Sequence, residues 1–319
     1  LEYMFIALPA VLLAGIAVPT VATIIELNDT DDADCVINVT GQQWWWEYDY
    51  PIAADGSICG FMPSGETGTI VTSGQMVIPT DAKVVIRGTS RDVIHSFWVP
   101  RLNGKRDMVP GRVHTWNFNA EQPGIYAGQC AEFCGLSHAN MRMEIVALDD
   151  ADFQSWIDNQ LEPYQAPEEG TLAAEGEGEF IAQCARCHQV DGLVDADGEL
   201  VVAHPEDQVY SGAAPNLTNL MTRNTFAGAM FDLLTEEARA EVWEASPDEF
   251  TDKYLAGVTA ETLNGVELRE WLRNAPAKKP MYADPEKLEE TDGLYRGMPY
   301  LALSEDQIDE LVAYLLERK

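Results

Sequence analysis

The sequence predicts a chain in three parts: an apolar helix long enough to span a membrane, an all-β sandwich, and an all-α domain. Three observations lead there. Tyr3 to Ile25 carries no charged residue. From Asp34 to about Leu148, short β-rich runs are punctuated by Gly and Pro. Past a segment rich in Pro and acids at 161–170, the pattern turns helical. A length of 319 residues allows two domains plus extras, and the boundaries fall at 1–27 for the helix, 34–149 for the sandwich, 150–174 for a closing helix and linker, and 175–319 for the helical domain.

The first helix, flanked by Glu2 and Glu26, can cross a hydrocarbon core of ~30 Å at ~1.5 Å per residue. Pro9 and Pro19 interrupt it, which membrane helices tolerate where neighbours satisfy the freed carbonyls. A signal peptide fits less well, because the run is long and lacks a basic leader and a small-residue cleavage site. Lys and Arg are absent from both flanks, so charge gives no orientation. The sandwich is read from runs such as Cys35-Val-Ile-Asn-Val39, Thr69-Ile-Val-Thr72, Lys83-Val-Val-Ile-Arg87, Thr115-Trp-Asn-Phe118 and Met143-Glu-Ile-Val-Ala147, spaced as antiparallel strands are. Three consecutive Trp, 44 to 46, fall in this region; on a strand Trp44 and Trp46 share one face and Trp45 takes the other. Asp150 to Leu161 has the spacing of a short amphipathic helix. Cys35 and Cys59 flank the Trp-rich run and read either as a disulfide or as two buried thiols.

A formal net charge of −33 disfavours a nucleic-acid-binding role, and no nucleic-acid partner is expected. An acidic surface attracts a basic partner or serves solubility in a salty medium, and net charge alone does not separate the two.

Chemistry concentrates in Cys130-Ala-Glu-Phe-Cys-Gly-Leu-Ser-His-Ala-Asn-Met141. Two thiolates, an imidazole and a thioether on one loop select a soft metal, copper above all. One Cys suffices for a mononuclear copper site; two thiolates facing one pocket can bridge two ions. The segment therefore reads as a dinuclear copper centre, provided a second His comes from elsewhere. His95, in a β-rich stretch upstream, is placed to supply it. A zinc half-site or a disulfide explains the cysteines but not the Met.

Asp92-Val-Ile-His-Ser-Phe-Trp-Val-Pro100, Asp107-Met-Val-Pro-Gly-Arg112, Pro123-Gly-Ile-Tyr-Ala-Gly-Gln-Cys-Ala-Glu-Phe-Cys-Gly135 and the closing His-x-x-Met resemble subunit II of haem–copper cytochrome c oxidases. Gly41-Gln-Gln-Trp-Trp-Trp-Glu-Tyr-Asp-Tyr-Pro51 does too, with Gln42 where that family usually has His. The resemblance covers about the first half of the chain, and includes Leu1-Glu2 and Ala17-Val-Pro-Thr20 of the apolar helix, which is like the second membrane helix of that family. It implies a cupredoxin-like fold and a CuA centre held by His95, Cys130, Cys134, His138, Met141 and the backbone carbonyl of Glu132. It also implies a magnesium ion reached by the Glu132 carboxylate at the interface with subunit I, and a face toward subunit I carrying Asp107 and Arg112. By the same resemblance Trp44 is the exposed residue where electrons arrive from an outside cytochrome, unless this chain's own second domain docks there. Glu2 matches an acid at the mouth of a proton pathway.

Cys184-Ala-Arg-Cys-His188 is the attachment signature of a c-type haem: two thiols form thioethers and the adjacent His ligates iron. The other cysteines are already placed, so a zinc ribbon has no second pair. Met is the usual sixth ligand. Met298, before the capped helix Ser304-Glu-Asp-Gln-Ile-Asp-Glu-Leu-Val-Ala-Tyr-Leu-Leu316, is assigned on its resemblance to the class I cytochrome c pattern, as is Pro215 beside the proximal His. Met281 is the reserve, His204 reads as a surface loop residue, and Met221 and Met230 as core. Residues 223–265 read as a mostly helical, acidic insertion of undetermined role.

The expected function is that of a subunit, anchored in a prokaryotic cell membrane among its lipids, with both redox domains outside the cytoplasm. It would take electrons from cytochrome c or a cytochrome bc complex through haem c to the dinuclear copper. From there they would pass to subunit I, among the other membrane subunits, for reduction of oxygen to water. A CuA subunit of a nitric oxide reductase and a free-standing electron shuttle are the alternatives.

Overall fold

The computed structural model describes residues 2–201, 214–283 and 296–319. Helix α1 (Glu2–Asn28) is apolar on every side, with mean hydropathy 2.3 over its best window, and none of its residues is buried against the rest of the chain. By length and composition it is able to cross a membrane. Its last turn is tied to the sandwich. The Asn117 side chain donates to the carbonyls of Glu26 and Asp29, Arg106 donates to Asn28, and Lys83 pairs with Asp29 at 2.8 Å. The bond to Glu26 meets one of the last-turn carbonyls that a helix end leaves open; the others hold Asn28 and Asp29 just at and beyond that end.

The sandwich consists of β1 (Cys35–Gln42), β2 (Trp45–Tyr50), β3 (Ile70–Ser73), β4 (Gln75–Pro79), β5 (Val84–Ser90), β6 (His95–Trp98), β7 (Arg106–Met108), β8 (His114–Phe118), β9 (Gly124–Cys130) and β10 (Arg142–Leu148). One sheet runs β3-β2-β1-β5-β8, the other β4-β10-β9-β6-β7. The pairing is not wholly antiparallel as the run spacing suggested: β1 lies parallel to β5 and β10 parallel to β4. Both pairs join strands far apart in sequence, and such connections leave direction free where a tight hairpin forces it. Alternation along β1 buries Cys35, Ile37 and Val39, and Trp46, Trp116 and Tyr48 fill the space between the sheets. Each aliphatic side chain so buried contributes roughly 1.5–3 kcal/mol. Tyr50 stitches sheet to sheet: its hydroxyl donates to the Val77 carbonyl and accepts from the Val77 amide, both at 2.8 Å. Cys35 and Cys59 are joined in a disulfide.

Helix α2 (Asp150–Gln160) closes the sandwich by burying Phe153, Trp156 and Ile157. After the linker, α3 (Leu172–Glu179) opens the second domain three residues before the boundary read from the sequence, capped by the Thr171 side chain. A π-turn, Phe180–Cys184, follows directly. Helix α7 (Glu305–Leu316) starts in the capping box foreseen from Ser304 and Gln307, and crosses α3 so closely that a Cβ on Gly176 would run into the Glu310 carbonyl.

The insertion is only partly helical. A hairpin, β11 (Thr225–Phe226) and β12 (Phe231–Asp232), precedes α4 (Glu236–Trp243) and α5 (Pro247–Leu255). Helix α6 (Gly265–Lys278) bends at Asn274, ahead of Pro276: a proline removes a helical hydrogen bond and crowds the preceding turn, and the Asn274 side chain accepts the Ala277 amide beyond the bend. Met221 is buried as expected; Met230 is half-buried.

Candidate metal centre and haem site

The copper-type loop lies between β9 and β10, with His95 at the start of β6 beside it. Cys130 Sγ lies 3.8 Å from Cys134 Sγ and 3.9 Å from His95 Nδ1. Cys134 Sγ is 3.6 Å from His138 Nδ1 and 3.9 Å from Met141 Sδ, and the Glu132 carbonyl is 3.3 Å from Cys130 Sγ. Two atoms each ~2.0–2.3 Å from a common ion stand roughly 3.3–3.8 Å apart in tetrahedral geometry. The donor set therefore fits metal ions held between these side chains with little rearrangement. All six residues named from the sequence converge here.

Electrostatics agree. The Cys134 thiol, with the Ser96 and Glu132 backbone and His95 behind it, holds Cys130 far below the usual thiol range. The resulting charge, together with burial, drives Cys134 far above it. Two adjacent thiolates are stable together only beside positive charge, which soft metal ions would supply. His95 is oriented by Asp92: Nε2 meets Asp92 Oδ1 at 2.8 Å, leaving Nδ1 toward the sulfurs. The other Asp92 oxygen accepts the Gln43 amide at 2.8 Å. Burial is the largest single influence and works against the charged forms of both residues, but their mutual hydrogen bond, the Gln43 and Val93 amides at Asp92, and the Cys130 sulfur at His95 together outweigh it, lowering the carboxyl and raising the imidazole. Such carboxylate–histidine pairs fix the ligand's tautomer. In the sequence Asp92 stands only as the first residue of the motif around His95, and its position three residues before that histidine is the signal for this role.

Trp44 does not share a strand face with Trp46. It sits in the turn before β2, and all three Trp are buried. Nor is it a surface residue: it is 2% exposed. Its Nε1 donates to the Cys134 carbonyl at 3.0 Å, and its ring lies 5.4 Å from that of Tyr282 in the helical domain. The domain's own chain covers it. Asp107 and Arg112 are exposed on the sandwich, and Glu132 is half-buried. Glu2 is exposed at the start of α1.

In the second domain the π-turn leads into Cys184 and Cys187, both free thiols. His188 Nδ1 donates to the Pro215 carbonyl at 2.8 Å, and burial holds the ring toward its neutral form. The tautomer thus leaves Nε2 with a lone pair to offer, as an iron ligand must. These residues fit a covalently attached haem. Met298 is half-buried, two residues beyond Arg296, which pairs with Tyr282; Met281 packs its sulfur against Gly297. His204 lies outside the described residues.

Residues 35–148 match the family described as cytochrome c oxidase subunit II, periplasmic domain, and residues 173–319 match cytochrome c. A cytochrome c oxidase subunit 2 of Alkalihalophilus pseudofirmus is 36% identical over 68% of this chain and 60% of its own length. One from Bacillus sp. is 28% identical over 100% of this chain and 74% of its own length. A probable cytochrome c oxidase subunit 2 of Rickettsia bellii is 36% identical over 54% of this chain and 67% of its own length. The chain thus spans about three fifths to three quarters of the length of these relatives. The His95/Cys130/Cys134 cluster in the sandwich, the Cys184–His188 motif in the helical domain and these similarities agree, and the chain belongs to the cytochrome c oxidase subunit 2 family, with a cytochrome c domain fused behind the sandwich.

Proposed function

We propose that this chain is the electron-input subunit of a haem–copper terminal oxidase, anchored in a prokaryotic cell membrane by α1 with both redox domains outside the cytoplasm. Haem c at Cys184, Cys187 and His188, with Met298 as sixth ligand, would take electrons from cytochrome c or a cytochrome bc complex. A dinuclear copper centre at His95, Cys130, Glu132 O, Cys134, His138 and Met141 would receive them and pass them to subunit I, where oxygen becomes water. The residues at each end would hold one-electron centres, so a transfer between the two domains would move a single electron, with no bond made or broken.

The observation that carries this reading is the pair of thiols 3.8 Å apart, flanked by two imidazoles and a thioether. When bound, copper would supply a one-electron couple, and the Cys130 and Cys134 thiolates would help to hold it. The protein's residues do the rest: Asp92 fixes His95, Pro215 fixes His188, and a packed sandwich keeps the donors rigid. Trp44 remains part of the reading as the point where electrons arrive, with the chain's own haem domain as donor. The magnesium ion expected at Glu132 would draw its other ligands from the partner subunit: among the described residues, the group of potential ligands within 4.8 Å of one another is His95, Cys130 and Cys134.

Purification from membranes tests the whole. We expect two coppers and one haem c per chain, together with a polytopic haem-bearing subunit. A chain isolated with both metals but no such partner would be a shuttle instead. A Cys134→Ser chain that kept an unchanged near-infrared copper band would overturn the ligand assignment.

A further inference from the structure

The ammonium-bearing end of Lys279 is buried, 3% exposed, and faces no carboxylate among the described residues. Its Nζ donates to two backbone carbonyls at 2.8 Å: that of Trp44 in the sandwich and that of Ala227 in the insertion. Burial pushes its pKa down to about 7, and a neutral amine has two N–H bonds for these two acceptors. A long charged side chain is seldom buried unless it is paired, so two carbonyls from two domains are a specific arrangement.

A second arm grips the same place. Ala227, Gly228 and Ala229 are consecutive residues with φ of 54°, 75° and 54°. A side chain in this left-handed region costs about 1–2 kcal/mol, and strain of this kind concentrates where a backbone group must be presented. The turn presents the Ala227 carbonyl to Lys279 and the Gly228 carbonyl to the Arg142 amide at 3.0 Å, next to the copper-type loop. A Cβ on Gly228 would sit 2.7 Å from the Trp44 carbonyl. Nearby, Ser137 Oγ donates to the Pro280 carbonyl, and the Asn224 amide donates to Gln75 Oε1 at 2.9 Å.

We propose that Lys279 and the left-handed turn Ala227–Ala229 form a clasp that fixes the helical domain on the Trp44 turn, with Lys279 as the positioning residue that sets the Tyr282–Trp44 contact. The insertion that the sequence left without a role is one half of it. A linker alone would keep the two domains at a millimolar effective concentration and let them sample many orientations; the clasp selects one. The consequence for electron transfer rests on the function proposed above, but the clasp itself does not.

The test uses the full metal-loaded chain in detergent, as Lys279→Met, Lys279→Gln and Gly228→Ala. Hydrogen exchange over residues 42–48 reads the clasp, and flash-induced electron transfer from haem to copper reads its consequence. Lys279→Met and Gly228→Ala are each expected to speed exchange there by roughly tenfold or more and to slow internal transfer, with copper and haem spectra and midpoint potentials unchanged. Lys279→Gln, which keeps two N–H donors, recovers part of both. Wild-type exchange in both Lys279→Met and Gly228→Ala overturns the clasp. Faster exchange with a wild-type transfer rate upholds the clasp and overturns Trp44 as the point of arrival.

Discussion

A single carboxylate, Asp92, decides how firmly the metal centre is held, although it touches no metal. Its bond to His95 Nε2 aims Nδ1 at the sulfurs. Asp92→Asn keeps the shape but removes the charge, and we expect copper affinity to fall ~10–100-fold, measured as copper retained against a graded chelator. In the second domain, Met298→Ala should leave the haem attached through Cys184 and Cys187 while its midpoint potential falls and the sulfur-to-iron band disappears; a persisting band would move the assignment to Met281. At this scale the sequence was most legible. The donor residues were readable because soft ligands in a short loop have few other uses. The Trp44 environment was not, because its burial depends on Tyr282, which lies 238 positions later.

Among the elements, the α3–α7 crossing shows what a small residue does for a helical domain. Gly176 lies against the Glu310 carbonyl with no room for a methyl group. Gly176→Ala should lower stability by about 1–3 kcal/mol, the usual cost of overpacking, visible as a lower melting temperature with the cysteine–haem linkage intact. Legibility tracked element length. The α7 capping box was readable from Ser304 and Gln307, and the strand runs from their β-branched content. The hairpin at 225–232 was missed because its strands are two residues each, too short for any alternation to register. The Trp44/Trp46 alternation failed for a related reason: a period of two holds only within one strand, and β2 begins at Trp45.

For the molecule as a whole, the interface between the domains carries a buried acid. Glu144 on β10 bonds Gln75 Nε2, and burial raises its pKa to about 7 against 4.5 in the open. Between those values the folded chain holds a proton that the unfolded chain has released. Stability from this group is therefore intact below pH 4.5, is lost as pH rises, and is lowest above 7. Glu144→Gln should remove that slope and stabilise the chain at pH 8 by roughly 2–4 kcal/mol, measured by denaturation across pH relative to the native chain. Such long-range arrangements leave no local periodicity, so the order of the domains was readable in the sequence and their contact was not. The charge of −33, by contrast, was plain from the start, and speaks to partners and solubility more than to fold.

The joint between α1 and the sandwich has a geometric consequence. The uncharged run of the helix ends at Ile25, so in a membrane with a ~30 Å hydrocarbon slab the polar end from Glu26 to Asn28 would stand clear as a short stalk. Because Asn117, Arg106 and Lys83 grip that stalk instead of a slack tether, height and bearing are geared together. One alanine inserted in the last turn would lift the sandwich by ~1.5 Å and swing it by ~100°, turning the copper loop away from whatever it faces across the bilayer surface.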